Sequence, residues 1–176
     1  MNIDKEIRER RALLLIIPKY KYSSELTKLM KILDKNFNKI GYINLNSSYK
    51  TLIKNLTNNK VNFRKFHVIG LNKPSKGQGE IENYRCIGSA DNLGGINIEF
   101  SDFVYVGCKI FLFDSLSDMF NKVNKSEVVK FVHTMIVKAK IANTKIIFLA
   151  LNQNIDFKMF KELNMLFDNI ISDTSK

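Results

Sequence analysis

Apolar-rich runs recur along the chain at Leu13–Ile17, Tyr42–Leu45, Phe66–Ile69, Ile110–Phe113 and Ile146–Ala150. Few polar residues interrupt them. A strand with one wet face would alternate, so these runs predict strands covered on both faces, as in a parallel sheet. Tyr84–Ile87 and Asn169–Ile171 read as two shorter strands, and Pro18 closes the first run. Between the runs, apolar residues return every three or four positions, which is helical spacing. Leu26, Leu29, Met30, Leu33 and Phe37 predict a helix capped by Ser23 or Ser24 and broken by Gly41. Leu52, Ile53 and Leu56 predict another, capped by Ser47 or Ser48 and ended at Asn58-Asn59. A long helix runs from a Ser126 cap to about Ala142, with Val128, Val129, Val132, Met135, Ile136 and Ala139 facing inward.

Shorter helices are predicted for the charged stretch Asp4–Arg11 and for Asp156–Phe167, and a short helix or turn for Ser115–Asn121. Asn92–Val106 pulls two ways. Its Gly94-Gly95 pair argues against a helix, whereas Ile96, Phe100, Phe103 and Val104 keep helical spacing, and we read it as a helix. The polar stretch Asn72–Glu82 holds Pro74, Gly77 and Gly79 and predicts a mobile loop. Strands alternating with helices imply one α/β domain over 1–176. Its centre is a mostly parallel sheet with helices on both faces, joined by right-handed crossovers.

Composition changes this picture little. At 176 residues the chain can bury a core without disulfide or metal staples. No apolar run is long enough to span a bilayer, and the charged N-terminus lacks the apolar centre of a signal peptide. A cytoplasmic protein with no membrane partner is expected. Cys86 and Cys108 sit in no metal-ligand spacing and read as reduced core thiols. His67 and His133 are far apart and read as semi-buried residues rather than catalysts, so no metal is expected. The net charge is +11, carried mostly by lysines that look dispersed. The chain is also rich in Asn, Ile and Phe, a profile that an A/T-rich genome writes by itself. The basic surface still leaves nucleic acid open as a partner.

The strand contents carry a resemblance. Phe111-Leu112-Phe113-Asp114-Ser115-Leu116-Ser117 resembles the Walker B strand of RecA/KaiC-like ATPases, in which an apolar run ends in Asp-Ser-Leu-Ser. Tyr42-Ile43-Asn44-Leu45-Asn46 resembles the family's second strand, which normally ends in a glutamate. The helix from Ser126 and the strand Lys145–Leu151 resemble the family's next helix and strand after Walker B. The likeness runs from Leu13 to Ile171 and implies a three-layer α/β/α, RecA-like domain. The chain looks especially like the small archaeal proteins related to KaiC that have lost their phosphate loop.

The departures matter for chemistry. A phosphate loop needs GxxxxGK[ST], because glycines let backbone amides turn toward the phosphates while Lys and the hydroxyl meet charge and magnesium. Here the segment reads Pro18-Lys19-Tyr20-Lys21-Tyr22-Ser23-Ser24, without glycine. Asn46 falls where the resemblance places the glutamate that activates water, and an amide cannot take its proton. The resemblance thus marks Lys21, Ser23, Ser24, Asn46 and Asp114 as relic nucleotide-site positions. It implies no catalytic residue and no required cofactor, with ATP and magnesium left open. Asp114 reads either as a relic metal position or, with Ser115 and Ser117, as a helix cap. Lys19 and Lys21 read as solvated charges, and Tyr20 and Tyr22 as cover for the vacated site or a contact surface. The implied role is regulatory or scaffolding, through a protein partner or self-association. Phe100, Phe103 and Tyr105 are a candidate contact patch.

Overall fold

The computed structural model describes residues 3–73 and 83–172. Seven strands form one sheet: β1 (Ala12–Ile17), β2 (Ile40–Asn44), β3 (Phe66–Gly70), β4 (Tyr84–Cys86), β5 (Ile110–Asp114), β6 (Lys145–Leu151) and β7 (Asn169–Ser172). Their order is β4-β3-β2-β5-β6-β1-β7, and every pairing is parallel. β1, β2, β3 and β5 are buried along their whole length, which is why their sequences do not alternate.

Helices cover both faces. α1 (Ile3–Glu9), α2 (Tyr22–Asn36) and α3 (Tyr49–Asn58) pack one core with Leu13, Leu15, Tyr42, Val68 and Leu112. α4 (Leu93–Tyr105), α5 (Leu116–Phe120), α6 (Lys125–Ile141) and α7 (Phe157–Asn164) pack the other with Leu14, Ile43, Phe111, Phe113 and Phe148. Burying each such side chain contributes roughly 1.5–3 kcal/mol. In the second core Phe113 stacks on Phe148 at 5.0 Å, and Phe148 meets Phe167 edge-on at 5.5 Å. The chain leaves β1 and β2 over one face and β5 and β6 over the other. Neighbouring strands therefore diverge at β2/β5 and at β6/β1, and the carboxyl ends of such strands open a crevice.

Several local expectations shift. The α2 cap is neither Ser23 nor Ser24: a 3-10 turn, Lys19–Lys21, feeds straight into the helix and leaves no extended residue to cap it. Ser48 does cap α3, accepting from the Thr51 amide. α6 is capped by Asn124, to which Ser126 donates. Gly41 is not a helix breaker but the second residue of β2, where a Cβ would stand 2.2 Å from the Phe111 ring. Gly94 and Gly95 open α4, because the Asn92 cap folds over Gly95 and leaves no room for a side chain there. On α6, Val129 is half-buried and Phe131 takes a core place instead.

The predicted loop at Asn72–Glu82 lies, from 74 to 82, outside the described residues. His133 is exposed, whereas His67 is buried against Phe103 with its pKa lowered, chiefly by burial. Of the two thiols, Cys86 is exposed and Cys108 buried, with burial pushing Cys108 up to about 12. One thiol should therefore react quickly with Ellman's reagent in the native protein, and the second only on unfolding; two fast thiols would contradict this packing. Among the described residues no helix is long and apolar enough to cross a membrane.

Candidate functional site

The crevice at the ends of β1, β2, β5 and β6 gathers the polar residues that interrupt the apolar runs. Asn44 and Asp114 are register partners at the ends of β2 and β5. Both are fully buried. Asn44 folds the chain toward α3, its Oδ1 accepting from the amide and hydroxyl of Ser47.

Asp114 is the hub. Its Oδ2 accepts from the Tyr42 hydroxyl at 2.5 Å and its Oδ1 from the Asn46 amide at 2.9 Å. The same Asn46 nitrogen donates to the Tyr22 hydroxyl at 2.7 Å. A hydrogen-bonded chain, Tyr42–Asp114–Asn46–Tyr22, thus runs from the core to the start of α2. Burial, reinforced by the negative charge of Asp118, pushes the Asp114 carboxyl well above the usual carboxylate range. Burial also raises Tyr42. Next to this hub the Asp114–Ser115 peptide bond is cis. The Ser115 hydroxyl donates to Asp118 at 2.5 Å, and Ser117 accepts from the Leu151 amide of β6 at 2.8 Å.

Above the hub lies a cavity of about 290 Å³ lined by Lys19, Tyr22, Ser23, Asn46, Ser115 and Asp118. Tyr22 and Asn46 also wall a second cavity of about 160 Å³ between α2 and α3. Some of the backbone donors beside the first cavity are already committed. Pro18 has no N–H, the Lys21 amide donates to Pro18, and the Tyr22 amide donates to Lys19. A cradle for phosphate needs such amides converging and unoccupied.

No family model matches the chain, and no curated protein matches it. Solved structures do. The flagellar accessory protein FlaH of Methanocaldococcus jannaschii superposes with a TM-score of 0.60 at 14% identity, covering 92% of this chain and 70% of FlaH. A KaiC-like protein of Pyrococcus horikoshii superposes with a TM-score of 0.63 at 9% identity, covering 92% of this chain and 71% of that one. The fold is RecA/KaiC-like.

Within this RecA/KaiC-like fold the five positions marked from sequence part company. Ser23 and Asn46 line the cavity. Asp114 lies buried beneath it and bonds to Tyr42 and Asn46 rather than capping a helix; Ser115 is the α5 cap residue, and its hydroxyl goes to Asp118. The Ser24 hydroxyl turns back onto the Lys21 carbonyl at 2.8 Å. Lys21 stands over the Tyr20 ring at 5.6 Å from its centroid, and Lys19 is the cation that reaches the cavity. Tyr22 packs at the site as one reading of the sequence had it, whereas Tyr20 is 72% exposed. Asp118 was not singled out from sequence. Its spacing of four from Asp114, one helical turn past a strand end, is the signal that could have found it. Among the described residues no group of three or more His, Cys, Asp or Glu side chains could hold a metal ion.

Proposed function

We propose that this chain is a RecA/KaiC-like domain that does not turn over ATP and acts as a regulatory or scaffold protein through contacts with other proteins. The observation that carries this reading is the short turn from β1 into α2. It has no glycine, and the amides of Lys21 and Tyr22 are paired within the turn itself. Phosphoryl transfer rests on positioning and charge neutralisation; a turn without glycine is poorly suited to cradle phosphate, and Asn46 stands where the resemblance puts the general base. The carboxylate in the Walker B-like position is buried, raised in pKa and held by two protein donors, which leaves it poorly placed to share a metal. An accessory part, of the kind that FlaH's description names, suits a domain built this way.

Of the sequence-derived contact patch, Phe100 and Phe103 belong to the core and only Tyr105, 92% exposed, remains at the surface.

The test is the melting temperature with and without millimolar Mg-ATP. A nucleotide at a hundred times its Kd would add about 2.7 kcal/mol. For a chain of this size that is a rise of about 5–11 °C. No shift and no phosphate release are expected.

A second reading, a remodelled nucleotide site, draws on the cavity that Lys19, Ser23 and Asp118 share. A clear rise in melting temperature, abolished by Lys19→Ala, would put it ahead.

A further inference from the structure

α3 presents a groove of about 520 Å³ on its outer side. Ile53 and Phe63, both half-buried, give it an apolar floor, and Lys50 and Lys54 stand on its rim one helical turn apart. Tyr49 closes one end, buried and held edge-on to Tyr84 at 5.0 Å. Asp34 accepts from the Asn62 amide next to Phe63 and is paired with Lys65 at 3.0 Å; otherwise the segment that builds the groove is basic. From 35 to 79 the sequence holds nine lysines and arginines and no aspartate or glutamate. The lysines that looked dispersed are set apart here by the absence of carboxylates.

We propose that this groove docks an acidic, amphipathic segment of a protein partner, apolar side chains on Ile53 and Phe63 and carboxylates on Lys50 and Lys54. The inference rests on the reading that the domain works through protein contacts, and it names their chemistry. An apolar concavity takes side-chain anchors, and a rim of one charge selects its opposite. A second copy of this chain fits poorly, since it would bring the same cationic face against itself. Single-stranded nucleic acid fits less well than an acidic segment, because it needs open aromatic faces for stacking. Tyr49 is buried on Tyr84, and Phe63 packs against the core beneath α2 and α3.

Fluorescence anisotropy tests this with four labelled probes: a helical peptide with one leucine and one glutamate face, the same peptide with serine for leucine, the same with lysine for glutamate, and a single-stranded oligodeoxynucleotide. The first should bind, and the other peptides at least tenfold more weakly. The double variant Lys50→Glu/Lys54→Glu and the single variant Ile53→Ser should each weaken the first peptide about tenfold, a loss equal to one or two such contacts. Both lysines are exposed, so the double variant should keep its melting temperature and separate lost docking from lost folding. Absence of binding, or binding untouched by both variants, overturns the proposal. So does an oligonucleotide that binds more tightly and depends on the same lysines. Melting and phosphate release with Mg-ATP on the same preparations separate the two readings. A shift accompanied by phosphate release sinks the non-catalytic domain whatever the peptides do, and failure of the peptides without phosphate release sinks the groove alone.

Discussion

Gly41→Val is expected to destabilise the fold by about 3 kcal/mol, the upper end of typical core overpacking. In a chain of this size that lowers the melting temperature by about 6–12 °C. Gly41 pairs with Phe111 across β2 and β5, and a Cβ would stand 2.2 Å from two of its ring carbons. The ring has little room to retreat, since it is fully buried and packed on Phe100 at a centroid distance of 4.2 Å. Thermal or urea denaturation measures the loss. A double variant with Phe111→Leu should recover part of it, because the smaller side chain vacates the collision. Equal losses with and without that second change would mean that the glycine serves some other purpose.

Asp114→Ala should cost about 2–4 kcal/mol, since it leaves the buried Tyr42 hydroxyl without its partner and opens a small void. Asp114→Asn should cost far less. Its amide can donate to the Tyr42 oxygen while its carbonyl still accepts from Asn46, the bonding that a protonated Asp114 would make. The folded-state pKa is raised, so the native chain holds this proton more tightly than the unfolded chain, whose Asp titrates near about 3.9. The proton's contribution is complete below that value. It is lost as pH rises toward the folded pKa, and falls no further above it. The stability of Asp114→Asn relative to the native chain should therefore improve as pH rises above the unfolded value and level off once the folded pKa is passed. Urea melts across pH read this difference. A relative stability that worsened with pH would show a carboxylate favoured in its ionised form, and would reopen Asp114 as a ligand for a cation.

Much of the architecture was legible because buried parallel strands leave a plain trace. Leu13–Ile17 and Ile110–Phe113 can hardly be anything else, and the structure extends each by a single residue, to Ala12 and Asp114. The RecA/KaiC-like arrangement followed from the order of such runs together with Asp114-Ser115-Leu116-Ser117. Caps were legible only where the local turn decided them. Ser48 was found, whereas Ser23 and Ser126 were displaced by neighbours, a 3-10 turn in one case and Asn124 in the other. Gly41 misled because its role depends on a ring seventy positions later, which no local pattern encodes. The site was half legible. Asn46 and Asp114 do meet, but that Asp114 is sequestered by Tyr42 depends on the register of β2 against β5. That Lys19 rather than Lys21 reaches the cavity depends on the pitch of one 3-10 turn. The groove on α3 has a sequence signal, the missing carboxylates from 35 to 79, which a chain-wide count of charge does not show.

That stretch carries nine of the eleven net positive charges, so the remainder of the chain is close to neutral. The excess positive charge is therefore concentrated, along the chain, on the segment that builds β2, α3 and β3. A negatively charged body would be drawn toward that segment before any contact forms. The capture rate would then be set by field and ionic strength, while the lifetime of the complex depended on the fit.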